Sequence, residues 1–360
     1  MRILMGFKCG IVGLPNVGKS TLFNALTSSK NAEAGNFPFC TIDPNIGVVD
    51  VPDERLDNLT NLSKSKKKIY ANITFVDIAG LVEGASKGEG LGNKFLSHIK
   101  EVDAIIHLVR CFENEKIQHV NSKISPVKDL EIIKTEIILS DLNAIEKKIE
   151  KGKKTLSDEE KSILKQSMDF LNDGKDLPTT MINDHNKFFK ELGLLSIKPK
   201  IIVCNVDEES LKDGNEFTKL VSKNFFNEKI INICADIEDQ LTSLDGDEKQ
   251  KFMVEIGLNK TGLNKLIRAG YELLNLDTFF TSGPDESRAW TVKKNTLAPQ
   301  AAGVIHSEFE KKFIRAETVT YSDFVNYGSA EKCKENGKLR IEGKEYIVKD
   351  GDVLYFRVNP

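Results

Sequence analysis

Gly13-Leu14-Pro15-Asn16-Val17-Gly18-Lys19-Ser20 holds two glycines five residues apart, then a lysine and a hydroxyl. That is the spacing of a phosphate-binding loop, G-x-x-x-x-G-K-[ST]. The glycines let backbone N–H groups curl around phosphate oxygens, and the helical pattern that follows, Thr21–Leu26, adds its positive dipole end. Lys19 would reach the β- and γ-phosphates, the Ser20 hydroxyl would bind Mg²⁺, and Asn16, Val17, Gly18 and Thr21 complete the cradle. Asp77-Ile78-Ala79-Gly80 follows at the end of a strand-like run. Alone, D-x-x-G is a common strand-end turn. Downstream of such a loop, Asp77 is a metal-holding carboxylate and Gly80 an N–H donor to the γ-phosphate. Between them, Thr41 sits in the Pro-flanked segment Phe37–Pro44 and is a third candidate for the metal shell; Thr27, inside the first helical pattern, is a weaker one.

Base recognition is the next question. Asn205-Val206-Asp207-Glu208 occupies the place of the guanine-reading pattern N-K-x-D, with Val206 at the lysine position and Glu208 at the aspartate position. Adenine has an acceptor at N1 and no 2-amino group, so a carboxylate aimed at guanine loses its purpose. Asn205 and the backbone at Val206 could read the adenine edge instead. These departures argue against firm GTP specificity without establishing ATP.

The elements that must position these groups are legible as Ile- and Val-rich runs at 8–12, 73–77, 104–109, 200–205 and 230–234, separated by helical stretches. Near-continuous apolar runs imply strands buried on both faces, hence a mostly parallel, doubly wound α/β sheet. Between Asp129 and Ser196, apolar residues recur every three or four positions, and 11 basic and 14 acidic residues surround them. That spacing predicts two antiparallel amphipathic helices turning near Gly152, a short coiled coil inserted in the first domain. From Phe279 to Pro360 the chain is rich in aromatics, with strand-like runs at Ile341, Tyr346–Val348 and Val353–Phe356, a small α+β module. The expected division is 1–128 with 197–278, then 129–196, then 279–360.

Composition narrows the class. At 360 residues the chain has room for two to three domains of roughly 150 residues, and it can bury a core without disulfides or metals. Hydrophobic residues are 40% and charged residues 29%, with a net charge of -3. The net charge sits on the 129–196 stretch and the remainder is neutral, so any nucleic-acid contact must come from local patches. No apolar run approaches the ~18 residues of a membrane span. Six scattered cysteines without a CxxC pair fit free thiols in a reducing cytosol.

Taken together, residues 6–21, Asn36–Ile42, Asp77–Val82, the glycine-rich run 84–92, Arg288–Thr291 and Ala298–Gly303 resemble the YchF/Obg-like ATPase family over essentially the whole chain. The resemblance implies a discontinuous G-type P-loop domain, a coiled-coil insertion and a C-terminal ubiquitin-like TGS module. It also implies a cytoplasmic, ribosome-associated switch, on the large subunit or the whole particle, that prefers or accepts ATP; the alternatives are a GTPase of the same architecture and a non-enzymatic nucleotide-gated adaptor, and no membrane or DNA partner is expected. Family members typically begin at the residue matching Met5, so Met1–Leu4 is an extension or a displaced start.

Many GTPases place a glutamine directly after D-x-x-G to orient the attacking water. Here that position is Leu81, which cannot hold a water by hydrogen bond, so slow intrinsic turnover is expected. Gly80, Gly84, Gly88, Gly90 and Gly92 would leave the following loop free for a partner to order. Asn16 stands where some related switch proteins coordinate K⁺; the alternative is an Asn serving the loop backbone. His119 is a candidate water-positioner or a solvated surface histidine, and His107 reads as a core histidine with a backbone partner. Lys64–Lys68 is either an rRNA-phosphate contact or a solvated hairpin tip. Lys293, Lys294, Lys311, Lys312 and Arg315 are weaker ribosome candidates, and Trp290 reads as core.

Overall fold

The computed structural model describes residues 7–28, 46–78, 91–114, 123–152 and 155–359. Strands in chain order are β1 (Lys8–Val12), β2 (Ile46–Asp50), β3 (Lys67–Ile69), β4 (Asn72–Asp77), β5 (Ala104–Arg110), β6 (Lys200–Asn205), β7 (Lys229–Ile233), β8 (Leu276–Ser282), β9 (Glu286–Lys293), β10 (Phe313–Thr320), β11 (Arg340–Glu342) and β12 (Asp352–Val358). Helices of the first two thirds are α1 (Lys19–Ser28), α2 (Glu54–Ser63), α3 (Leu91–Lys100), α4 (Pro126–Gly152), α5 (Asp158–Asn172), α6 (Thr179–Asp184), α7 (Asn186–Leu192), α8 (Glu216–Asn224), α9 (Ala235–Ser243), α10 (Gly246–Glu255) and α11 (Gly262–Leu273).

The first sheet runs β2-β4-β1-β5-β6-β7. Every neighbouring pair is parallel except β2 with β4. The five expected apolar runs are all strands, and β5 is buried at every position, as a central parallel strand must be. β2 escaped the reading: Ile46 is exposed and Gly47 interrupts the apolar run, so this antiparallel edge strand lacks the signature of its buried neighbours.

His107 lies on β5, 8% exposed, but its Nε2 has no hydrogen-bond partner among the described residues, so the expected backbone-satisfied histidine is only half right. Burial, reinforced by the Lys200 ammonium, pushes its pKa from 6.5 down to about 3. The unfolded chain therefore takes up a proton near pH 6.5 that the native state refuses until about pH 3. Its contribution to stability is intact above pH 6.5 and is lost as pH falls through that interval, by up to a few kcal/mol. We expect His107→Phe to flatten the fall in urea midpoint between pH 6.5 and 4; an unchanged slope would show that other groups set it.

The arm is helical as the periodicity requires, with differences in extent. α4 is 27 residues long, about 40 Å at 1.5 Å per residue. Its first turns are not arm: Leu130 and Ile133 pack into the cores around the first sheet, so the boundary expected at Asp129 falls inside a continuous helix. The detached core starts at Ile138 and includes Ile145, Leu164, Leu171 and Phe189. α5 opens on a capping box, in which Ser157 Oγ accepts from the Glu160 N–H and the Glu160 carboxylate accepts from the Ser157 N–H. α6 and α7 add two short helices that a two-helix reading omits.

The second sheet runs β11-β10-β12-β8-β9-β3. Its last strand comes from the first part of the chain: Lys67–Ile69 pairs in parallel with Glu286–Arg288. The helices of this region are α12 (Ala298–Ile305), α13 (Ser307–Lys311), α14 (Tyr321–Tyr327) and α15 (Ala330–Glu335). Tyr346–Val348 is no strand; Ile347 makes a single bridge to Leu297 while Asp352 holds the turn through the Lys349 N–H and the Tyr346 hydroxyl. Trp290, read as core, is half-buried: it packs on Phe279 with centroids 6.3 Å apart, donates Nε1–H to Thr281 and carries the Arg288 guanidinium over its ring. Phe280, Ala289, Phe324 and Val353 join Leu56 and Leu59 in one apolar cluster that continues into the first sheet.

Among the described residues, no helix is long and apolar enough to cross a membrane. Cys9, Cys111, Cys204, Cys234 and Cys333 are buried free thiols.

Candidate nucleotide site

β1 ends in the middle of the sheet, and the loop that follows turns over the carboxyl ends of β1, β5 and β6. Gly13 is required by close approach: a Cβ there would lie 2.6 Å from the Leu108 carbonyl oxygen. Asn16 and Gly18 both take left-handed backbone, at φ 63° and 93°. A side chain on Gly18 would also collide with the Asn205 amide. α1 then begins at Lys19, with Ser20 exposed on its first turn.

The Lys19 ammonium pairs with the Asp77 carboxylate at the end of β4, and both side chains are mostly buried. The two groups expected at the phosphates and the metal thus lie side by side, 58 residues apart in sequence. Asn205 is 4% exposed and bonded to backbone on both sides: its Nδ2 donates to the Val17 carbonyl at 2.9 Å, and its Oδ1 accepts from the Ala235 N–H at 3.0 Å. This adds a structural role to the expected one. Asn205 braces the phosphate loop against the start of α9, and the second N–H of its amide is still a donor for a base. Val206 is buried, its N–H donated to Ile233. Asp207 Oδ1 accepts from the Ser210 N–H at 2.9 Å, and Glu208 beside it is exposed. The structure therefore gathers Asn16, Val17, Gly18, Lys19, Ser20, Thr21, Asp77, Asn205, Val206 and Glu208 at one end of the sheet. Thr41, Gly80, Leu81 and His119 lie outside the described residues. Gly92 does not belong to the glycine-rich loop as expected: α3 already begins at Leu91.

Residues 8–139 match a family model described as a 50S ribosome-binding GTPase, and residues 276–359 match the YchF-GTPase C-terminal model, described as a protein of unknown function. "Ribosome-binding ATPase YchF" of Bacillus subtilis is 48% identical over 99% of this chain and the relative's full length. The protein of the same name from Escherichia coli O157:H7 is 47% identical with the same coverage. The chain belongs to the YchF family. The solved structure of the Schizosaccharomyces pombe YchF GTPase superposes with a TM-score of 0.87 at 37% identity, covering 98% of each chain.

Within this YchF-family site, sequence reasoning missed two features. One is the Lys19–Asp77 pair, which depends on the parallel register of β1 with β4. The other is the Ala235 N–H, supplied by the Cys234-Ala235-Asp236 segment directly after β7, whose position at the end of an apolar Ile-Ile-Asn-Ile run was the available signal. Burial pushes the Cys234 thiol pKa upward, and the Asp236 and Glu208 carboxylates add to it, so this thiol is a neutral packing group.

Asn205→Ala removes both ends of the brace and leaves a buried carbonyl and a buried N–H unpaired. At about 1–3 kcal/mol for an orphaned buried group, we expect a loss of roughly 2 kcal/mol in unfolding free energy. ATP affinity should fall at least tenfold, read by calorimetric titration. Asn205→Asp, which keeps the acceptor but not the donor, should fall between the two.

Proposed function

We propose that this chain is a Mg²⁺-dependent ATPase switch that works on the ribosome and hydrolyses the β–γ bond slowly on its own. The observation that carries the reading is the complete phosphate loop facing Asp77, joined to a base-side segment in which the guanine-reading lysine is the buried Val206 and the carboxylate is shifted in type to Glu208. Relatives covering the full chain carry the name ribosome-binding ATPase, which supports the activity and the partner. The description of the matched G-domain model supports the large subunit as the contact.

The donor set suits Mg²⁺. Ser20 offers a hydroxyl and Asp77 a carboxylate, hard oxygens to which phosphate oxygens add the rest. When bound, the ion neutralises charge on the β- and γ-phosphates. Lys19 leaves Asp77 for the phosphates, which frees the carboxylate to face the metal. Gly18 and the α1 N-terminus present N–H groups to the same oxygens. Thr41 and Gly80 belong to this reading as the γ-phosphate sensors, His119 as water-positioner, and Leu81 as the cause of slow turnover; Asn16 is the residue to test for K⁺. The helical arm and the C-terminal TGS-type module, with the nucleotide domain, form a three-unit cytoplasmic switch whose nucleotide state sets how it meets the ribosome.

A second reading is favoured by two names: the matched G-domain model and the S. pombe structure are both described as GTPases. Titrating one preparation with ATP and GTP decides between them. We expect ATP to bind more tightly with both accepted; a ten-fold preference for GTP removes the ATPase reading.

A further inference from the structure

The run Lys64-Ser65-Lys66-Lys67-Lys68 holds four cations in five residues, and the nucleotide site uses none of them. The fold gives it a place that the sequence could not show. β3 is the outermost strand of the second sheet, so one of its long edges faces away from β9. The run is not a loose hairpin tip. The Ser65 N–H donates to Thr60 at 3.0 Å, the Lys66 N–H to Pro284 at 3.0 Å, and the Lys67 N–H to Asp285 at 3.1 Å. Ser65 Oγ contacts Gly283 O and Ser287 Oγ, both at 2.7 Å. Lys64 closes the C-terminus of α2 in left-handed backbone, at φ 49°. The cations therefore stand on a backbone fixed by both parts of the chain.

Their pairing is uneven. Lys68 is taken by Asp57 at 2.6 Å and lies over the Tyr70 ring at 4.9 Å. Lys66 meets Asp285 at 2.9 Å, but the side chains are 77% and 87% exposed, where an ion pair is worth little. Lys64 and Lys67 are exposed and make no ion pair among the described residues. The acidic groups nearby are Asp57, Asp285 and Glu286, all in the segments that hold the run. A rigid row of three under-compensated lysines, on a chain that is otherwise neutral or acidic, matches a line of phosphates.

We propose that the β3 edge, through Lys64, Lys66 and Lys67, is a docking surface for the sugar–phosphate backbone of ribosomal RNA. The proposal rests on the ribosome-binding reading. The lysines position the chain by phosphate contact and read no base.

Full-length wild type and the variant Lys64→Asn/Lys66→Gln/Lys67→Gln are compared by ribosome co-sedimentation across a KCl series, with ATP titration as the check of the intact nucleotide site. Asn suits the left-handed backbone at position 64. The variant should bind ribosomes on the order of tenfold or more weakly, and the slope of log affinity against log salt should fall by about two to three. ATP affinity should not change. Asp285→Lys, which reverses the one opposing charge beside Lys66, should tighten ribosome binding. Equal affinity and slope for wild type and the triple variant, with ATP bound normally, overturns the proposal and leaves the ribosome reading intact. Weaker binding with an unchanged salt slope overturns the RNA assignment in favour of a ribosomal protein. Wild type that fails to sediment with ribosomes at all overturns both.

Discussion

Lys19→Ala should lower ATP affinity by about two to three orders of magnitude while lowering Tm by only a few degrees. The two halves have separate causes. Truncating one member of a desolvated charge pair costs about 2–5 kcal/mol in binding, and each 1.4 kcal/mol is a factor of ten. Lys19 would pair with phosphates inside a loop whose other donors are uncharged N–H groups, so nothing adjacent replaces it. The substitution also harms by what it leaves. Asp77, 17% exposed and ion-paired among the described residues with Lys19 alone, becomes an uncompensated carboxylate where phosphates must enter. The fold itself is held by apolar burial around Val12, Val17 and Leu22, which the change does not touch. Asp77→Asn separates the contributions. It releases Lys19, so nucleotide should bind as well as or better than in wild type without Mg²⁺, while the Mg²⁺-dependent gain is lost. Calorimetric titration with and without Mg²⁺ reads both. Wild-type affinity in Lys19→Ala would remove Lys19 from the phosphate site.

The phosphate loop was legible because its glycines answer local demands. Gly18 needs a left-handed backbone and Gly13 a close approach, and both demands are written in residue type at fixed spacing. Asn205 was legible as a site residue, but its brace to the phosphate loop was not. Its partner Val17 lies 188 positions away, and only the packed sheet brings the amide to that carbonyl. The arm showed its helices by their three-to-four spacing, whereas its true base was hidden because α4 carries the same stripe from the sheet core into the arm without a break. β3 was illegible for a different reason. Lys-Lys-Ile has neither alternation nor an apolar run, and it is a strand because β9 supplies the ladder. The same missed pairing shows that the C-terminal module is not a separate bead. The segment from Asp53 to Ile69 leaves the first sheet, packs Leu56 and Leu59 against Phe280, and ends as a strand of the second.

Arg55 is where that segment is pinned by charge, and Arg55→Ala should lower the unfolding free energy by about 2–4 kcal/mol. Its Nε and Nη2 donate to the two oxygens of Asp53 at 2.9 and 2.7 Å. Its Nη1 donates to Asp350 Oδ2 at 2.6 Å, and the guanidinium lies 5.1 Å from the Phe280 ring centre. Burial works against the cation, but hydrogen bonds to Asp53 and Asp350 outweigh it and hold the pKa above its ordinary value. The two pairs differ in weight because their exposures differ. The Asp53 side chain is 9% exposed, so removing its partner approaches the 3–5 kcal/mol cost of a stranded buried charge. Asp350 is 48% exposed, and water takes over much of what Arg55 supplied, leaving about 0–1 kcal/mol. Asp53 keeps the Arg55 N–H at 3.0 Å as the α2 N-cap in the variant, which limits the damage to the side-chain pair. Asp350→Ala should therefore cost less than Arg55→Ala, the loss including its bond from the Thr278 N–H at 3.0 Å. A double-mutant cycle should give a coupling below about 1 kcal/mol for Arg55 with Asp350, and a larger one for Arg55 with Asp53. Hydrogen exchange should rise together along α2 and β8 in Arg55→Ala, since these elements share the clamp. Stability within 0.5 kcal/mol of wild type would instead mean that the apolar contacts of Leu56, Leu59 and Phe280, with the β3–β9 ladder, hold the two sheets together without help from charge.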